Sequence, residues 1–302
     1  MKHAYLIMAH NEPYILEKLL RLIDDERNDI YLHIDKKWKN FDFEKFKNVV
    51  RKSNIYFSDR LDVRWGTYSQ IKCELVLMNF ASQNGKYAYY HVISGIDMPL
   101  TTQDVMHEFF DKYQGKEFIN YDNHKEAFPD TIDRIKYYHI FTKNGHSNNK
   151  IVRRIWGLIY RACLKIQKFL KVNRLKNIDF EIRKGANWIS ITDELVRFIL
   201  SKEDEIYDVY KKSLCADELF VQTIVYNSDF YKNVISKKDD DYSAIKRYID
   251  WKRGKPYTFR TTDFDELINS NCFFARKFST KVDKKIVDMI YDYVRNEMNG
   301  KG

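Results

Sequence analysis

Carboxylates stand at four places where they could do chemistry. Asp217 and Glu218 open the apolar stretch Leu219-Phe-Val-Gln-Thr-Ile-Val-Tyr226. Acids in such a place either favour a helix dipole or act as bases that take a proton from a hydroxyl. Asp35 closes the run Asp29-Ile-Tyr-Leu-His-Ile34, where an aspartate either caps a turn or faces a ligand. Asp97 follows Gly95 just beyond Tyr87 to Ser94. Asp239-Asp240-Asp241 fits the D-x-D pattern that holds metal ions in many nucleotide-sugar enzymes. It follows Lys237-Lys238 in a polar run, which argues for a solvated loop. Generic catalytic motifs are absent: no glycine-rich phosphate loop, no G-x-S-x-G and no H-E-x-x-H. Cys73, Cys163, Cys215 and Cys272 include no C-x-x-C pair, which argues against zinc and thioredoxin-type chemistry and fits reduced thiols.

The elements that must position these groups alternate. His3 to Ala9 reads as a short buried strand, followed by a helix from about Pro13 to Asp24 with Ile15, Leu19, Leu20 and Ile23 on one face. Asp29 to Ile34 is a second strand, Asn54 to Phe57 a third, Ser69 to Ala81 a helix and Tyr87 to Ser94 a fourth strand. This order predicts an α/β fold with a mostly parallel sheet flanked by helices. Ligands of such sheets bind beyond the carboxyl ends of the strands, which puts Ala9-His10, Asp35 and Asp97 near one edge. Phe118 to Lys150 reads as a loop region and Ile151 to Val172 as a strong helix. Gly185 to Ile191 reads as a strand, Asp193 to Leu200, Asp217 to Tyr226 and Lys284 to Met298 as helices. No repeat and no Pro/Gly-rich linker divides the 302 residues, so a single domain is expected. Aromatics are 16% of the chain, with 22 Tyr and 20 Phe. That excess suits either a sugar-stacking surface or a merely tyrosine-rich composition.

Several segments recur in a recognisable order: Ala9-His10, Leu32-His-Ile-Asp-Lys36, Arg64-Trp-Gly66, Ile93-Ser-Gly-Ile-Asp-Met-Pro-Leu100, Gly185-Ala-Asn-Trp188, Ala216-Asp-Glu218 and Phe273-Phe-Ala-Arg-Lys-Phe278. From about Ala4 to Val294 the chain resembles the core-2/I-branching β-1,6-N-acetylglucosaminyltransferases and the related peptide O-xylosyltransferases, as a bacterial-type member. The segment Phe273 to Phe278 is most similar to the xylosyltransferase branch. The resemblance implies a GT-A (Rossmann-like) fold and an inverting transfer from a UDP-sugar to a glycan hydroxyl. It also implies no divalent metal and no cofactor beyond the donor substrate. It places the catalytic base at Glu218. Arg260 and Lys277 match the basic pair on the diphosphate, doing the work a metal does elsewhere; Arg276 is the substitute for Arg260, since the loop after Arg260 is short. Asp35 matches a nucleoside contact, Asp97 lies in the stretch beside the donor sugar, and His10 joins the donor set. Trp188, Asp217 and Arg134 are acceptor contacts, although Trp188 is equally suited to a core. N-acetylglucosamine is the family default; xylose, glucose and galactose stay open. Surface polysaccharide synthesis on a lipid-linked acceptor is the expected role.

The net charge of +9 and pI ≈ 9.1 raise a rival reading, a nucleic-acid binder. The excess is concentrated, however. From Lys150 to Lys176 the chain has nine basic residues and no acidic one, and no nucleic-acid motif appears. Ile151, Ile155, Leu158, Ile159, Ala162, Ile166, Phe169 and Leu170 share a helical face, with Arg154, Arg161, Lys165 and Lys168 beside it. Such a helix suits either an anionic membrane surface or packing on the sheet. The N-terminus MKHAYLIMAHNEP has no signal-peptide pattern, and no run approaches the ~20 apolar residues of a membrane span. A cytoplasmic protein, peripheral at the inner face of the plasma membrane, is therefore expected.

Overall fold

The computed structural model describes residues 1–140, 149–176 and 178–300. Among them lie strands β1 (His3–Ala9), β2 (Asn28–Ile34), β3 (Asn54–Phe57), β4 (Tyr89–Ser94), β5 (Met98–Pro99), β6 (Ser190–Ile191), β7 (Arg247–Ile249) and β8 (Phe274–Arg276). The helices are α1 (Pro13–Leu22), α2 (Phe43–Lys47), α3 (Ser69–Asn84), α4 (Gln103–Lys112), α5 (His124–Lys136), α6 (Lys150–Phe169), α7 (Asp193–Ser201), α8 (Glu203–Tyr210), α9 (Phe220–Tyr226), α10 (Phe264–Ile268) and α11 (Thr280–Asn299).

The main sheet runs in the order β3-β2-β1-β4-β6. Its first four strands are parallel, and β6 is antiparallel to β4. Side chains alternate between faces with period two. Ala4 and Leu6 join α3, α7 and α9 residues such as Ile71, Leu75, Val196 and Val221 on one face. Tyr5 and Ile7 join Leu16 and Leu19 of α1 and Met106 and Phe110 of α4 on the other. With both faces covered, β1 and β2 read as continuous apolar runs. A smaller sheet, β5-β8-β7, shares a third core with α1 and α11 through Met98, Phe259, Phe278, Ile286 and Ile290. Glu12 joins the two regions: its carboxylate accepts from the Ser279 hydroxyl (2.7 Å) and the Thr280 hydroxyl (2.6 Å) at the start of α11.

The expected mostly parallel α/β architecture is observed, with four local differences. A helix, α5, interrupts the expected loop at 118–150; residues 141–148 of that segment lie outside the described residues. Gly185 to Ile191 pairs as a strand only at Ser190–Ile191. The preceding amides bond elsewhere, Gly185 N to Glu218 O (3.0 Å) and Ala186 N to Asn120 Oδ1 (3.0 Å). The expected helix at Asp217 starts instead as a 3-10 turn, Ala216–Glu218, after Cys215 in the left-handed region (φ 47). Finally, α6 buries none of its residues, so it is not a core helix.

Candidate active site

A cavity of about 1140 Å³ opens beyond the carboxyl ends of β1, β2 and β4. His10, Asp35, Ser94 and Ile96 line its floor. Ser94-Gly95 lies close over Ala9: a Cβ on Gly95 would meet the Ala9 Cβ at 2.7 Å. Small residues are therefore required where β1 and β4 end, which accounts for two of the recurring segments.

Asp35 is buried, and its carboxylate accepts from Lys37 N (2.8 Å), Lys37 Nζ (3.0 Å) and Val63 N (3.2 Å). It thereby fixes the Val63–Trp65 loop on the cavity rim. Desolvation in the cavity lowers the pKa of His10 against the opposing pull of Asp35. His33, also lining, is pushed down to about 4 by burial and accepts from Leu61 N at 2.9 Å.

The acidic wall is the 3-10 turn. Its position is set by Gly66 (φ 72), whose carbonyl accepts from Cys215 N at 3.0 Å. Added at Gly66, a Cβ would lie 3.2 Å from Cys215 Sγ. The consecutive acids differ sharply. Asp217 is 8% exposed and accepts from Gln70 Nε2 at 2.8 Å. Burial, then the charge of Glu218, pushes its pKa up to about 7. The Glu218 side chain is 32% exposed, and Arg134 Nη1 donates to it at 2.8 Å. Behind them, Glu74 of α3 is fully buried and accepts from Asn187 Nδ2 at 2.9 Å; burial and then the charge of Asp217 raise its pKa well above the usual carboxylate value.

Arg276, at the end of β8, forms the cationic wall. Its guanidinium stacks over the Trp188 ring at 3.8 Å, and Nε lies 3.4 Å from Asp97 Oδ1. Asp97 is buried and also accepts from Ser94 N (2.9 Å) and the Ser94 hydroxyl (2.6 Å). The exposed Lys255 adds a second cation to the largely buried Arg276, beside Pro256 and Trp251. Four of the five tryptophans, Trp65, Trp156, Trp188 and Trp251, line the cavity. Trp65 is 70% and Trp251 48% exposed.

The structure thus brings together His10, Asp35, Trp188, Asp217 and Glu218. Four other candidates lie outside the cavity lining. Asp97 lies beneath Arg276 and Ser94 and is not among the cavity-lining residues. Arg134 belongs to the Glu218 ion pair and not to the lining. Arg260 is exposed and opens the turn Thr261–Asp263, its backbone N donating to Asp263 Oδ2 (2.7 Å). Lys277 lies just past β8, outside the lining. Lys255 and Arg276 are among the cations that do line the wall. Lys255 and Gln70 carried no signal in the sequence, since a lone lysine or glutamine in a polar segment is commonplace. The triple Asp239-Asp240-Asp241 is a loop tied down by Arg183 (3.2 Å to Asp239). Among the described residues no group of three or more His, Cys, Asp or Glu side chains is arranged to hold a metal ion.

The Core-2/I-Branching enzyme family model matches residues 3–270. Curated relatives include a xylosyltransferase of Ciona intestinalis, 21% identical over 94% of this chain and 33% of its own length. Xylosyltransferase 2 of Rattus norvegicus is 20% identical over 95% of this chain and 33% of its own length. The chain therefore spans about a third of the length of these relatives. The apo crystal structure of mouse xyloside xylosyltransferase 1 superposes with a TM-score of 0.35 at 10% identity, covering 90% of this chain and 96% of that one. With the family model matched over most of its length, the chain belongs to the Core-2/I-Branching enzyme family.

Proposed function

We propose that this protein is an inverting glycosyltransferase that moves a sugar from a UDP donor to a glycan hydroxyl. The observation that carries the reading is one cavity with a carboxylate wall, Asp217-Glu218, and a cationic wall, Arg276 and Lys255, lined by four tryptophans. Aromatic faces suit the apolar faces of sugars and bases, and fixed cations suit a diphosphate. Glu218 is the more exposed of the two acids, so it is the base that an acceptor hydroxyl reaches. The acceptor oxygen attacks the anomeric carbon, its proton passes to Glu218, and the bond from that carbon to the phosphate oxygen breaks. UDP leaves with the electron pair, and Arg276 and Lys255 stabilise its added charge without a metal. The named relatives are xylosyltransferases, which favours xylose over N-acetylglucosamine as the transferred sugar.

One observation favours a second assignment of the base. Asp217 has its pKa near 7, where a general base works well. UDP release from UDP-xylose, UDP-N-acetylglucosamine, UDP-glucose and UDP-galactose tests both. Glu218→Gln lowers turnover by ~10²–10⁴-fold with UDP binding retained, and excess EDTA leaves the wild-type rate unchanged. Near-normal turnover in Glu218→Gln with loss in Asp217→Asn transfers the role to Asp217. Loss in neither sinks the carboxylate mechanism.

A further inference from the structure

The helix α6 is amphipathic, yet its apolar stripe faces solvent. Ile151 is 70% exposed, Ile155 51%, Leu158 55%, Ile166 56% and Phe169 85%. The helix is held to the body from another side. The Tyr160 hydroxyl bonds His139 Nδ1 at 2.6 Å, and the Gln167 side chain bonds the Tyr138 backbone at 2.7 and 3.0 Å. Trp156 lines the cavity, as does Val152. Successive residues advance by about 100°. Trp156, Tyr160, Cys163 and Gln167 therefore share a docked face, and Ile151, Ile155, Leu158, Ala162, Ile166 and Phe169 a stripe about 130° away from it. The exposed Arg154, Arg161 and Lys165 lie between that stripe and the far side of the docked face. The outward half of the helix is thus half apolar and half cationic.

We propose that α6 docks this protein on an anionic lipid bilayer, with the cavity opening beside the headgroups. A helix of 20 residues is about 30 Å long, and no described helix is long and apolar enough to cross a membrane, so α6 lies in the interface plane. Charge complementarity selects the occupant. The exposed basic residues of α6 are not matched by acids on the same helix, because residues 150–169 contain none. A second copy of α6 laid on the first would oppose cation to cation. Acidic headgroups satisfy the basic stripe while the acyl boundary takes the isoleucines, Leu158 and Phe169. Since Val152 and Trp156 continue this helix into the cavity wall, docking brings the cavity mouth to the bilayer.

Vesicle co-sedimentation tests this independently of any sugar transfer. The probes are vesicles of phosphatidylcholine alone and with about a third phosphatidylserine, at low and high salt. Binding is expected to the anionic vesicles only and to fall at least tenfold at high salt. Two variants, Arg154→Glu/Arg161→Glu/Lys165→Glu and Ile155→Ser/Leu158→Ser/Phe169→Ser, change only exposed positions, and each is expected to reduce binding at least tenfold while the melting temperature holds. Equal binding to neutral vesicles, or binding unchanged in the charge-reversed variant, overturns the proposal. So does a self-association in solution that the serine variant disperses, since the stripe then belongs to a second copy.

Discussion

Replacing Arg276 with methionine separates the two jobs assigned to it. The first job is structural. Asp97 is 1% exposed, and Arg276 supplies the facing charge at 3.4 Å. Breaking a buried ion pair by removing one partner costs about 3–5 kcal/mol. Here Asp97 keeps both Ser94 donors, which brings the expected loss to the low end of that range. The lost stacking on Trp188 adds ~1 kcal/mol. Arg276→Met is therefore expected to lose about 3–4 kcal/mol in urea denaturation. Adding Asp97→Asn removes the stranded charge; its amide oxygen accepts from Ser94 N and its NH2 donates to the Ser94 hydroxyl, which turns to accept, so the double variant should recover all but ~1 kcal/mol. The second job is donor binding. A charge-assisted hydrogen bond to phosphate is worth roughly 1.5–3 kcal/mol, about 10–100-fold in Kd. Calorimetric titration should show UDP binding weakened by that factor in the single and double variants alike, with uridine binding little changed. If the double variant regains UDP affinity together with stability, Arg276 supports the wall without touching the diphosphate, and the cationic assignment fails.

Two further outcomes follow from packing and burial away from the cations. A Cβ at Gly185 would meet the Asn120 carbonyl oxygen at 2.1 Å, a backbone atom that cannot turn aside. Gly185→Ala is therefore expected to cost about 3 kcal/mol or more and to displace Ala186 and Trp188. Gly157→Ala, on α6 with nothing within 4 Å, should instead stabilise by roughly 0.5–1 kcal/mol; paired thermal melts check both. Burial raises the pKa of Glu117 to about 7, against the opposing donors of Thr192. The folded state therefore holds a proton that the unfolded chain releases near pH 4.5, so this group's destabilisation sets in above that pH and is complete above 7. The wild type should lose up to ~3 kcal/mol relative to Glu117→Gln between pH 5 and 8; parallel denaturant curves with no widening gap would contradict the burial argument.

The main sheet was legible because its strands are long enough to show a pattern. β1, β2 and β4 have six or seven residues each, mostly apolar because both faces are covered. The small sheet was not legible, since β5, β7 and β8 have two or three residues, too few for the alternation of period two to repeat. α5 escaped notice because its sequence, His-Lys-Glu-Ala-Phe-Pro-Asp-Thr-Ile-Asp-Arg-Ile-Lys, places a proline at position 129, which reads as a helix breaker. The aromatic excess pointed to a sugar surface through the wrong residues. Tyr5, Tyr31, Tyr89, Tyr90, Phe110 and Phe118 are fully buried, while the cavity draws on the tryptophans.

Part of the cavity lining was legible in the sequence, and the rest was not. His10 and Asp35 follow strand ends directly, so the strand rule alone places them. The proposed cation and base stand where the backbone turns, and there neighbours in sequence face different surroundings. In β8, Phe274 packs under the main sheet and Ala275 in the small-sheet core. The alternation of the strand then gives Arg276 to the cavity, and Lys277, just past the strand, lies outside the lining. In the 3-10 turn, Asp217 falls inward against Gln70, towards the buried Glu74, and Glu218 outward against Arg134. A motif such as Phe-Phe-Ala-Arg-Lys-Phe or Ala-Asp-Glu identifies the segment that must reach the cavity, but not the face it turns. That face is set by contacts distant in sequence: Gly66 against Cys215 for the acids, and Asp97 with Trp188 for the arginine. The same logic explains why Asp97 matters without lining the cavity. A buried carboxylate 3.4 Å from Arg276 holds the guanidinium against Trp188, so the cation is oriented before any anion arrives.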